Sequence, residues 1–177
     1  MEELIKLDSD FSESKFLTKV DNIFVMLCTS IMTNNLNRVA HFISDDVFNQ
    51  KKSYVEELNS KNLMQMYDEL NVKSTEIVDV KILDDKFVIE VKLTARYMDY
   101  LLDKSTRKFV SGNNTSRIQK DYYMIFEKRR NASKLGVIRF CPNCGAHMDL
   151  NNTGVCSFCH KVFDQENHDW ILTSIRN

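Results

Sequence analysis

The sequence predicts an α+β fold, with helices in its first third and an antiparallel sheet after them. Apolar residues recur at threes and fours through Phe16, Val20, Ile23, Phe24, Leu27 and Ile31, then at every second position through Phe87, Ile89, Val91, Leu93 and Ala95. These are the helix and strand periods. Two C-x-x-C pairs then interrupt the chain, and a strand-like run that includes Trp170, Ile171, Leu172 and Ile175 follows them.

The first helix opens at Asp10-Phe11-Ser12-Glu13, where a capping side chain stands three residues before a glutamate. Its apolar stripe forms one face, and Thr33-Asn34-Asn35 breaks it. Cys28 lies on that stripe and reads as a buried thiol. A shorter apolar run, Val39, Phe42 and Ile43, leads to Ser44-Asp45-Asp46, an N-cap with acidic residues suited to the helix dipole. Val47, Phe48, Val55 and Leu58 then face inward with Tyr54, and this helix is expected to end between Leu63 and Tyr67.

From about Val72 the period is two. Val78, Val80 and Ile82 alternate with charged residues, Asp84-Asp85 makes a turn, and the run from Phe87 to Ala95 alternates with Glu90, Lys92, Thr94 and Arg96. That is a hairpin with one solvated face. Ser111-Gly112-Asn113-Asn114 reads as a second turn, before a strand with Tyr122, Met124 and Phe126 on one side. Because a strand follows the cysteines, they are expected to sit in an insertion. The boundaries are residues 1–135 and 167–177 for the α+β domain and 136–166 for the insertion.

Each C-x-x-C pair sets two thiolates on one side of a tight loop, and two such loops complete a tetrahedral four-sulfur site. Cys141, Cys144, Cys156 and Cys159 are therefore read as ligands of one structural zinc ion in a short zinc ribbon. Gly145 and Gly154 lie beside the knuckles, and four thiolates leave no open position for catalysis. A rubredoxin-type iron site uses the same ligand set. His147 and His160 read as bystanders. The paired spacing, with no secretory leader, suits a reducing compartment and a cytoplasmic protein.

The net charge of −1 provides no basic field for nucleic acid, and the longest apolar stretch falls far short of the roughly 20 residues a membrane helix needs. No phosphate-binding glycine loop or nucleophile elbow is present. Lys128, Arg129, Arg130, Lys134 and Arg139 form a modest basic cluster, read as a solvated strand end. Tyrosines and acids gather around Tyr97-Met98-Asp99-Tyr100 and Asp121-Tyr122-Tyr123. Acid–base chemistry there would require them to converge in one pocket.

The helical stretch FLTKVDNIFVMLCTSIMTNNLNRVAHFISDDVF, the strand pattern TEIVDVKILDDKFVIEVKLTARYMDY and the closing DWILTSI together resemble the Tim44-like domain family. The embedded CPNC…CSFC is similar to a zinc ribbon of bacterial members. The resemblance implies helices packed on a curved antiparallel sheet of the cystatin/NTF2-like kind and no catalytic residues. It also implies a binding or adaptor role linked to protein transport or a membrane-associated complex. A protein segment is the expected partner for an apolar groove, a lipid or membrane surface the second, and nucleic acid is disfavoured. The mitochondrial relatives' presequence and long charged leader are missing from this sequence. Two other readings follow from the residues: a ribbon that is itself the recognition surface, and a pocket protein or enzyme of the NTF2-like kind.

Overall fold

A computed structural model describes residues 2–9, 11–130 and 169–177. The order is α1 (Glu2–Leu7), α2 (Glu13–Met32), two 3-10 turns (Leu36–Arg38 and Ala40–Phe42), α3 (Asp45–Ser60), β1 (Leu63–Ile82), β2 (Lys86–Asp103), β3 (Phe109–Arg129) and β4 (Ile171–Arg176). The four strands form one antiparallel sheet in sequence order. The predicted α+β architecture is what the chain adopts. Residues 141, 144, 156 and 159, and with them the predicted ribbon, lie outside the described residues.

The core forms where the α2 stripe meets the inner face of β2. Phe16, Val20, Ile23, Phe24, Leu27 and Cys28 are buried from the helix, and Phe87, Ile89, Val91, Leu93, Ala95 and Tyr97 from the strand. Glu90 and Lys92 stay on the outer face, paired with Arg176 at 2.7 Å and Asp121 at 3.1 Å. Leu4 of α1, a helix with no sequence signal of its own, is fully buried, and Asp8 just beyond it binds Lys128 at 2.5 Å.

Three local expectations are corrected. The second long helix stops at Ser60, and β1 begins at Leu63, because Asn62 takes a left-handed φ of 56° and ends the helix. Val78 points to solvent, since register shifts between Ile77 and Asp79 swap the alternation there, while Ile77, Val80 and Ile82 pack on the core. The chain reverses at residues 103–108, and Gly112 lies inside β3. The Asn-rich turn signal is spent on a bulge, where Asn113 Oδ1 accepts from the Thr115 and Ser116 amides at 3.1 and 3.0 Å.

The last strand is anchored from both sides. Ser44, the cap of α3, accepts from the Val47 amide at 3.4 Å and donates its own amide to the Leu172 carbonyl at 2.9 Å. Trp170 lies between Phe11, Phe16 and Phe87, with ring centroids 5.9, 5.1 and 6.4 Å away. Such ring contacts add to the area each aromatic buries. They join β4 to α2 and to the sheet.

Candidate binding groove and the polar interior beside it

The two long helices end alike, at the same end of the molecule. Asn34 and Asn62 both adopt left-handed φ, at 53° and 56°, and Asn59 Nδ2 donates to Asn34 Oδ1 at 3.3 Å. The β2–β3 turn docks against this junction. Its Lys104 amide donates to the Asn62 carbonyl at 2.8 Å, and the Asn62 side chain donates to Asp103 at 3.1 Å.

Between these parts lies an open cavity of about 620 Å³, within the range of ligand and side-chain pockets. α2 contributes Ile31 and Met32, α3 contributes Val55 and Leu58, and β1 contributes Leu63, Met64 and Met66. Three of these are methionines, whose unbranched, polarizable side chains adapt to varied partners. Thr33, Asn34, Asn59, Gln65, Asp68, Lys104 and Arg107 supply the polar part of the lining.

The charges of the lining are not equivalent. Lys104 Nζ donates to Asn59 Oδ1 at 2.9 Å, and Arg107 Nη1 approaches Met64 Sδ at 3.1 Å. Neither cation is in an ion pair among the described residues. Asp103, beside the lining, accepts from the Thr106 amide and hydroxyl at 2.7 and 2.9 Å and from the Ser105 amide at 3.0 Å, and these bonds, those of Thr106 first, lower its pKa. Asp68 accepts from the Tyr100 hydroxyl.

Behind the groove is a polar interior. Gln65, 5% exposed, accepts from the Tyr54 hydroxyl at 2.6 Å. It donates to Asp99 Oδ1 at 2.8 Å, the Met66 carbonyl at 2.9 Å and the Tyr100 carbonyl at 3.2 Å. Lys120 binds the other Asp99 oxygen at 2.9 Å. Tyr97 and Tyr122 share a hydroxyl–hydroxyl hydrogen bond, Tyr67 stacks edge-on against Tyr97 at 5.4 Å, and Phe24 meets Tyr122 at 4.8 Å.

Tyr97 and Tyr122 thus meet, while the nearby Asp99 carboxylate is bonded to Gln65 and Lys120 and to neither tyrosine hydroxyl, and Tyr100 and Asp121 do not join them. Tyr100 bonds Asp68, and Asp121 accepts from Thr94 at 2.7 Å beside Lys92. Burial is the first cause that raises the pKa of Tyr67, Tyr97 and Tyr122, the last to about 12. Burial likewise lifts the Cys28 thiol to about 12, so Cys28 is the buried core thiol its stripe position predicts. At neutral pH these groups are protonated and held in their own contacts.

The basic cluster is largely engaged. Lys128 pairs with Asp8, while Arg130 donates to the Leu83 carbonyl at 2.8 Å and covers the Phe87 ring at 5.6 Å. Lys134, Arg139, His147 and His160 lie outside the described residues. Among the described residues no three His, Cys, Asp or Glu side chains gather as a metal site, and no helix is long and apolar enough to cross a membrane. Gln65, Lys104 and Arg107 were not foreseen. The only sequence signal for Lys104 and Arg107 is the cation-rich run Lys104 to Lys108 between two apolar pairs, and Gln65 has none.

The sequence profile of the Tim44-like domain matches residues 1–136. No curated protein matches the chain at a significant level. Among solved structures, the crystal structure of the intermembrane space region of the chloroplast protein ARC6 is similar at 8% identity. Its TM-score is 0.46, over 90% of this chain and 94% of that one.

Proposed function

The chain belongs to the Tim44-like domain family, and on that premise we propose a non-catalytic adaptor linked to protein transport or a membrane-associated complex. The observation that carries the reading is the open, methionine-lined groove of about 620 Å³ between α2, α3 and β1. A groove of this make suits apolar side chains of a partner segment better than a single small molecule of fixed shape. The converging tyrosines support a non-catalytic role, because they are packed against one another and raised away from neutral titration.

The four cysteines complete the proposal. One zinc ion bound by Cys141, Cys144, Cys156 and Cys159 would stabilise the segment between β3 and β4 without taking part in chemistry. The cysteine usage supports a cytoplasmic protein, and the family supports work at the periphery of a membrane complex.

The test is fluorescence anisotropy with short labelled peptides that share one Leu/Phe core and carry glutamate, lysine or serine flanks. At least one should bind saturably, and Met64→Glu, which puts a charge into the lining, should abolish binding while circular dichroism stays unchanged. If no peptide saturates, the groove is not a protein-binding site.

A further inference from the structure

We infer that the groove selects an apolar segment flanked by acidic residues and discriminates against basic amphipathic segments. The inference rests on the proposed peptide-binding role and adds the charge of the partner. It follows from how the lining charges are used. Asp103, the acid of the turn, does not line the cavity, and its carboxylate accepts from the Thr106 and Ser105 amides and from Asn62. Asp68 is tied to the Tyr100 hydroxyl on the strand side. Lys104 and Arg107 instead touch only neutral partners, the Asn59 amide oxygen and the Met64 sulfur. Two cations against the one lining carboxylate, Asp68, leave the groove net positive toward whatever enters.

The position of the two cations strengthens this selection. Lys104 and Arg107 come from one turn, and that turn is fastened to the α3–β1 junction by backbone and side-chain hydrogen bonds. They are therefore held at the groove and are not spread over a free loop. A segment that buries its apolar residues against Met32, Leu58 and Met64 brings its flanks alongside them. Carboxylates there gain charge-assisted bonds, and lysines meet like charge. Lys108 and the exposed Phe109 and Val110 continue the same cationic and apolar character past the turn.

The same peptides decide the matter. The glutamate-flanked peptide should bind about tenfold tighter than the lysine-flanked one, as expected for two partly exposed ion pairs. The preference should shrink as salt rises. In the double variant Lys104→Glu, Arg107→Glu the order should reverse, so that the ratio of the glutamate-flanked to the lysine-flanked affinity falls below one. Equal binding, or a preference for lysine flanks in the unmodified protein, overturns the inference and leaves the peptide-binding role standing. Failure of every peptide overturns both. Flotation with phosphatidylglycerol vesicles is the control. If the vesicles displace the glutamate-flanked peptide and their binding is lost in the same double variant, the cations serve a lipid surface and the inference falls.

Discussion

Gln65 and Asp99, on neighbouring strands, are joined by a 2.8 Å hydrogen bond inside the fold, with Tyr54 and Lys120 completing the chain of contacts. The Gln65 oxygen accepts from one group, and its two amide hydrogens are shared among three acceptors. Gln65→Ala removes all of these at once and leaves buried partners unsatisfied, at about 1–3 kcal/mol. Urea denaturation should show a fall in stability of that size. A change under about 0.5 kcal/mol would mean that water replaces the side chain without loss.

The buried hydroxyls and thiol make stability sensitive to alkali. Cys28 and Tyr122 have folded pKa values of about 12, raised by burial from 9.0 and 10.0. Above pH 9 the unfolded chain loses these protons first, so stability is fully present below that pH and declines as pH rises toward about 12. Urea melts between pH 8 and pH 11 should show the decline, with Cys28→Ala and Tyr122→Phe each making it shallower. A flat profile in the unmodified protein would contradict the burial of these groups.

Trp170 is the only tryptophan and is 5% exposed against three phenylalanine rings. Trp170→Ala should cost about 3–5 kcal/mol, the range for a large aromatic removed from a core. In the unmodified protein, intrinsic fluorescence should be blue-shifted and move to the red in one cooperative transition on unfolding. Red-shifted emission from the native protein would show that the ring is not packed.

The metal proposal is checked by composition and by stability. Zinc released from the purified protein by a thiol-modifying reagent should approach one equivalent, and Cys141→Ala or Cys156→Ala should lose it and lower Tm. A coloured, iron-containing preparation would replace zinc by iron. Unchanged Tm in zinc-free variants would remove the stabilising role.

Much of this fold is legible in the sequence because burial there follows period. The stripe through Phe16, Val20, Ile23 and Phe24 and the alternation through Phe87, Ile89 and Val91 each have one buried face, and the structure keeps both. What period alone does not reveal is irregular backbone. Val78 faces solvent because a bulge shifts the strand by one position. Gly112 has the look of a turn glycine, yet it sits in β3 with φ 101°, where a Cβ would meet Tyr100 Cα at 2.6 Å. The same residue type serves a turn or a bulge, and only the pairing partner distinguishes them. The groove is harder still to read. Met32, Met64 and the turn that carries Lys104 and Arg107 are far apart in the chain, and their meeting depends on two asparagine-ended helices finishing at one end.

The pairing of β3 with β4 joins chain segments on either side of residues 131–168, with Glu127 opposite Ile171. In general, the entropic cost of closing a chain connection grows by only about 0.6 kcal/mol for each doubling of its length. The Trp170 cluster and the Ser44 bond to Leu172 supply local, length-independent stabilisation for the strand. The sheet can thus carry a long excursion before its last strand, and can tolerate its lengthening or shortening through evolution, without losing its register.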